Sequence, residues 1–170
     1  MKLAELYYKA RKRKVPYYAE YPLWLIVWKP IRKFLNVVLI PNVPFSNLRV
    51  VLYRTLVGYK IGKNVFIGMK CYLDDLEPKD TVIEDNVTIS YGCYFALHGI
   101  GQGHSSIRIE EGAYIGMRAT IIAVGSGISI GEHSVVGASS LVNKSIPPNV
   151  EAVGVPAKII GVATDSSARS

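Results

Sequence analysis

The chain has 170 residues, 49% of them hydrophobic, which suffices for one domain with a sizeable core and excludes both a disordered tail and a disulfide-stapled miniprotein. The net charge of +7 is unevenly placed: residues 1–60 hold 12 Lys and Arg against 2 Asp and Glu, a net of +10, and the remainder holds 8 against 11, a net of −3. A nucleic-acid domain would spread its basic surface over the fold, so this confinement of charge to one end speaks against a nucleic-acid partner.

Residues 1–14 carry Leu3, Leu6, Tyr7 and Ala10 at helical spacing with basic residues opposite, which predicts a short amphipathic helix. This opening lacks the basic, apolar and small-residue order of a signal peptide, and the apolar run Leu23 to Trp28 is cut by Lys29-Pro30, far short of a bilayer span. Pro16, Pro22, Pro30, Pro41 and Pro44 punctuate the aromatic, apolar stretch that leads to Ser46. A second helix is predicted from Ser46, read as its cap, with Leu48, Val51, Leu52, Thr55 and Leu56 on one face and Gly58 as the stop. Residues 1–57 thus form a basic, aromatic helical segment. Two cysteines, Cys71 and Cys93, are too few for a secreted disulfide framework and form no C-x-x-C pair, so a reducing, cytoplasmic compartment is expected.

From Lys60 the pattern changes to an internal repeat. Aliphatic residues or Phe recur every six positions in four sets of three: Ile61, Ile67, Leu73; Ile83, Ile89, Phe95; Ile109, Ile115, Ile121; Ile130, Val136, Val142. Four residues after the first two members of each set stands a small or compact side chain, from Val65 and Cys71 to Ser134 and Ser140. Several of the aliphatics are followed by glycine, at 62, 68, 116, 131 and 137, read as tight corners needing positive φ. Three sides of six residues make a triangular coil of 18, each side a short strand pairing with its equivalent above and below. The steps of 10, 14 and 9 between sets all follow the third member, so the insertions leave one corner of the prism.

The hexapeptide series, with YIGMRATI, SVVGASSLVNKSIPPN and the closing GVPAKIIG, resembles the hexapeptide-repeat acyltransferases, which include sugar O-acetyltransferases and serine acetyltransferase. The likeness covers about residues 58–161, leaving 162–170 as an expected disordered tail. It implies a mainly β fold, a left-handed parallel β-helix of four to five coils, with the handedness resting on the resemblance alone. It also implies a homotrimer, acetyl-CoA as acyl donor bound between adjacent prisms, no metal, and a saccharide acceptor in surface polysaccharide or glycolipid synthesis.

The longest insertion, between Phe95 and Ile109, is glycine-rich and holds two of the three histidines. Acyl transfer to a hydroxyl needs a general base, and imidazole is suited to that near neutral pH. By its distance from Phe95, His98 matches the family's active-site histidine; His104 matches a substrate-side histidine and is the acceptor-binding group or alternative base. His133 lies in a turn that tolerates any polar residue. The string Gly99 to Gly103 is no dinucleotide loop, since no βαβ unit surrounds it. Carried over from the family, the CoA-binding residues are Met117, Ala123, Ala138, Ser139, Asn143, Lys144 and Lys158, the two lysines as phosphate partners. The loop is shorter than in maltose-type enzymes and lacks their His-Pro pair, so their acceptor specificity is not transferred. Alternatives are a serine acetyltransferase-like enzyme, a γ-type carbonic anhydrase-like zinc enzyme and a non-catalytic scaffold. The basic and aromatic residues of 1–40 suit either peripheral contact with an anionic membrane at its inner face or packing on the end of the prism.

Overall fold

The computed structural model describes residues 23–74, 78–97, 105–123, 125 and 127–163. The expected first helix, His98, His104 and most of the expected tail lie outside them. In the described residues the six-residue period folds as a triangular β-solenoid. Its first face stacks β1 (Lys60–Ile61), β3 (Thr81–Ile83), β6 (Ile107–Ile109) and β9 (Ile128–Ile130). The second stacks β2 (Phe66–Ile67), β4 (Thr88–Ile89), β7 (Tyr114–Ile115), β10 (Val135–Val136) and β12 (Val150–Val153). The third stacks β5 (Tyr94–Ala96), β8 (Thr120–Ile122) and β11 (Leu141–Val142), preceded by a bridge from Tyr72 to Tyr94. Three full turns therefore run from β3 to β11, with a shorter first turn below them.

All pairings between these turns are parallel and place the repeat's aliphatics in register. Ile61, Ile83, Ile109, Ile130 and Ile146 form one inner ladder; Ile67, Ile89, Ile115, Val136 and Ala152 form the second; Phe95, Ile121 and Val142 form the third. Every one of these side chains is buried, as are the small residues at the corners between them, including both cysteines. Small side chains are needed there because the axis of a narrow coil leaves no room for more. The final turn is closed by β13 (Lys158–Val162), which reverses to pair antiparallel with β12, and the Ala163 N–H donates to Asn149 O at 2.9 Å.

The corner glycines serve a different purpose from the one expected. Positive φ occurs two residues later, at Asn64, Asn86, Gly112, His133 and Asn149 on the first corner and at Lys70, Gly92, Arg118 and Ser139 on the second. Glycines 62, 68, 116 and 131 do not have positive φ; they are required because the next coil passes so close. A Cβ on Gly68 would lie 2.6 Å from the backbone of Ser90 and Tyr91, and one on Gly116 would lie 2.6 Å from Ala138 N.

The N-terminal segment covers the open end of the prism. Helix α1 (Leu23–Phe34) continues through a wide π turn (Leu35–Leu39) and a 3-10 turn (Ile40–Asn42) into α2 (Ser46–Leu52), itself extended by a π turn (Tyr53–Val57). Gly58, with φ +96°, ends this run as expected, its N–H donating to Tyr53 O. Two expectations are corrected. Ser46 is the first helical residue and makes no side-chain cap, and the buried face of the helix is Arg49, Val50, Tyr53 and Val57, so Leu48, Val51 and Leu56 point outward. The reason is polar: the first coil has no strand beneath it and presents carbonyls that need donors. Arg49, 2% exposed, donates its Nε to Ile67 O at 3.0 Å and other guanidinium N–H groups to Ile67 O and Val43 O. Asn36 Nδ2 donates to Leu73 O at 2.6 Å. No helix among the described residues is long and apolar enough to cross a membrane.

Candidate active site

Two of the prism's corners turn in four residues, and the third, between the third face and the first, carries every insertion. In the sequence, residues 98–104 connect Leu97 to Ser105, the described residues on either side of this corner. Its base is built from buried groups. Asp74, 1% exposed, occupies in the first turn the place that Ala96 holds in the second, and its Oδ2 accepts the Leu97 N–H at 2.8 Å. The residue directly before His98 is thereby tied by a carboxylate to the coil below. Asp74 is held in turn by the Tyr59 hydroxyl, within 2.9 Å of both Leu73 O and Asp74 O and 3.1 Å from Asn36 Oδ1. The cap and the loop corner are thus parts of one hydrogen-bonded unit.

Two further polar groups mark this corner. Thr81 Oγ1, at the start of β3, and Ser105 Oγ, where the chain returns from the loop, are buried without hydrogen-bond partners among the described residues. On the third face beside the corner, Tyr72 and Tyr94 stack with ring centroids 4.6 Å apart, and Tyr94 is half-exposed.

The residues expected to bind CoA fall into separate groups. Met117, Ala138 and Ser139 lie together on the second corner of the upper two turns, exposed, with Ser139 N–H donating to Met117 O at 2.8 Å. Asn143 and Lys144 are exposed at the loop corner of the same upper turn, and Lys158 is exposed on β13. These two corners flank β8 and β11. Ala123 departs from the pattern: it is fully buried and its N–H donates to Ala96 O, a packing position. His133 stands on the first corner with its ring over Gly112, apart from the corner that carries the other two histidines.

The thiols are free and sealed in the core, one coil apart. Cys93 Sγ lies 3.2 Å from both Ser90 O and Gly116 O, and Cys71 Sγ lies 3.1 Å from Ser90 O. Their mutual hydrogen bond and burial push the Cys93 thiol well above its ordinary range, while that same bond lowers Cys71. Both thiols are closed off inside the prism, where no substrate carbonyl reaches them.

The sequence matches the family described as "Hexapeptide repeat of succinyl-transferase" over residues 59–95 and 106–144. The chain belongs to the hexapeptide-repeat family. Among its hexapeptide-repeat relatives, the galactoside O-acetyltransferase of Escherichia coli is 34% identical over 118 residues, 61% of this chain and 57% of that protein. The crystal structure of a maltose O-acetyltransferase from Clostridium difficile 630 superposes with a TM-score of 0.67 at 26% identity, covering 85% of this chain and 90% of that one. A hexapeptide-repeat acetyltransferase from Vibrio cholerae, solved in complex with acetyl-CoA, shares the fold at 23% identity and a TM-score of 0.69, covering 96% of this chain and all of that one. The chain spans about half the length of the curated relatives it matches. The two matched blocks stop and resume on either side of residues 96–105, the insertion that holds both candidate histidines.

Asp74 escaped the sequence reading. Its signal was present: the position after the third member of a set is Ala96 in one turn and Ile122 in another, and an acidic residue there breaks the apolar run at the start of an insertion.

Proposed function

We propose that this hexapeptide-repeat chain is an acetyl-CoA-dependent O-acetyltransferase acting on a saccharide hydroxyl, working as a homotrimer. The observation that carries the reading is the loop corner. Every long insertion in the six-residue period falls there, the sequence between Leu97 and Ser105 contains His98 and His104, Leu97 is pinned by Asp74, and the prism's relatives include galactoside and maltose O-acetyltransferases. A rigid base beneath a histidine-bearing loop is what general-base catalysis requires, because proton transfer depends on positioning.

In this reading His98 takes the proton from an acceptor hydroxyl as its oxygen attacks the thioester carbonyl. Backbone N–H groups stabilise the oxyanion of the tetrahedral intermediate. Its collapse breaks the carbon–sulfur bond, and the proton on His98 goes to the departing CoA thiolate. His104 binds the acceptor. Exposed Met117, Ala138, Ser139 and Asn143 suit the pantetheine arm, and the ammonium groups of Lys144 and Lys158 suit phosphates. Buried Ala123 offers no exposed atom and takes no part. No acyl-enzyme forms on either cysteine.

The test is thiol release from acetyl-CoA by the purified chain against galactosides, maltose, nucleotide sugars, serine and amines. Release that depends on a sugar, with the acetyl group recovered on a sugar oxygen, is expected. Release with serine alone would replace the saccharide by the amino acid, and absence of CoA binding would leave a non-catalytic scaffold.

A further inference from the structure

The outward column of the third face changes character half-way along the prism. In register it reads Tyr72, Tyr94, Thr120 and Leu141, so its two rings stand on the lower turns and its shorter side chains on the upper ones. The rings stack with centroids 4.6 Å apart and planes 16° from parallel, and Tyr94 is 47% exposed. Tyr72 covers the lower side of the Tyr94 ring and sets its orientation. Above it stands Thr120, too short to cover a phenol, so the outer part of the ring keeps an open face turned toward the upper turns. The place of the ring is fixed as well. Tyr94 lies on β5 three residues before Leu97, whose N–H is held by Asp74, and the next residue, Phe95, is fully buried.

The chemistry of that face selects its occupant. The face of a phenol ring carries negative charge density and attracts polarised C–H groups, while its hydroxyl donates and accepts hydrogen bonds at the rim. A pyranose matches both, with C–H groups on one side of its ring and hydroxyls around its edge, whereas serine has no ring to lay there. The flat adenine of the donor is kept elsewhere. In the reading above, the donor phosphates lie with Lys144 and Lys158 on the upper turns, so the thioester is the part of the donor nearest Tyr94. We propose that Tyr94, backed by Tyr72, is the platform on which the ring of a pyranose acceptor rests, and that it selects sugar hydroxyls over that of serine. This rests on the acetyl-transfer reading for the reaction, but binding of a sugar to the platform is measured without acetyl-CoA.

The experiment is saturation-transfer NMR of the full-length protein with the methyl pyranosides of galactose, glucose and mannose and, separately, with serine, followed by turnover once acetyl-CoA is added. Saturation of the ring protons of at least one pyranoside above that of its methyl group is expected, with none on serine. Tyr94→Phe keeps the ring face and should keep the saturation. Tyr94→Ala and Tyr94→Leu should lose it and raise the KM for that sugar about tenfold, near the upper end of one ring contact, with a smaller effect on kcat and none on CoA affinity. The Leu variant fills the place with an apolar side chain, so it separates loss of the ring face from loss of packing. Equal saturation in the Ala variant and wild type, with acetyl recovered on the sugar, would overturn the platform and leave the transferase reading standing. Saturation lost in the Ala variant, with no acetyl transfer by the wild type, would do the reverse. Wild type that saturates no pyranoside overturns the proposal. So does an Ala variant that changes the mass of the oligomer while sugar saturation is unchanged, which would assign the ring to a contact between copies.

Discussion

The tight corners of the prism and its loop corner are built from the same coils but held by different means. At the first and second corners residues at positive φ turn the chain and glycines let one coil pass close to the next; on the first corner exposed side chains add rungs between coils, Asn64 donating to Asn86, Asn86 to Glu111, and Asp85, Glu84 and Glu110 accepting the N–H groups of Lys63, Glu111 and Glu132. At the loop corner the side-chain ties are buried, with Asp74 tying Leu97 to the coil below and Tyr59 and Asn36 linking that tie to the cap. In the acetyl-transfer reading proposed above, stability and chemistry are separated by corner. Damage to a tight corner should appear in unfolding, and damage to the loop corner chiefly in turnover.

The largest stability effect is expected at Gly68. Gly68→Ala forces a Cβ to within 2.6 Å of the Ser90 and Tyr91 backbone and should cost about 3 kcal/mol, read by denaturant unfolding. Gly161→Ala, where nothing lies within 4 Å, should change stability by less than about 0.5 kcal/mol. Equal effects at the two would mean that coil spacing adapts and that the comparison fails.

Asp74→Ala comes next. It leaves the Leu97 N–H without its acceptor and should destabilise by about 2 kcal/mol, while kcat falls roughly tenfold to a hundredfold because the residue before His98 is no longer held. Asp74→Asn keeps an acceptor oxygen and should restore most of the turnover. A loss of stability with unchanged kcat would reduce Asp74 to a fold residue and detach the loop from its base.

The smallest effect is at Tyr53, whose hydroxyl is buried in the cap without a hydrogen-bond partner among the described residues. Tyr53→Phe should be neutral or raise stability by about 1 kcal/mol. Burial raises the Tyr53 phenol above the ordinary tyrosine value of 10.0. Above that pH the unfolded chain loses a proton that the folded chain retains, so stability falls as pH rises through it. The Phe variant should lose less stability than wild type on going into that alkaline range.

The repeat was legible to the single residue, because a period of six with three members per set admits only one stacking, and the register from Ile61 to Val142 follows it. The cap was legible only as helices. Amphipathicity marked the wrong side of α2, since an apolar face was taken for the buried one when the open coil required a donor and Arg49 was turned inward. The glycine pattern was seen but misassigned: sequence shows where side chains are absent, and the structure shows that coil approach, not φ, is the reason at Gly68 and Gly116. At the loop corner the histidines stand out by residue type, whereas Asp74 acts through a hydrogen bond to the adjacent coil that no local pattern announces.

The central claim, that the loop corner carries acetyl transfer, is tested most directly by His98→Ala. With steady-state turnover of acetyl-CoA and a sugar acceptor measured beside CoA affinity and melting temperature, kcat should fall by roughly 10²–10⁴ while the other two stay at wild-type values. His104→Ala should raise the acceptor KM and leave kcat closer to wild type. Turnover undiminished in the His98 variant, or lost only in the His104 variant, would contradict the assignment of His98 as the base.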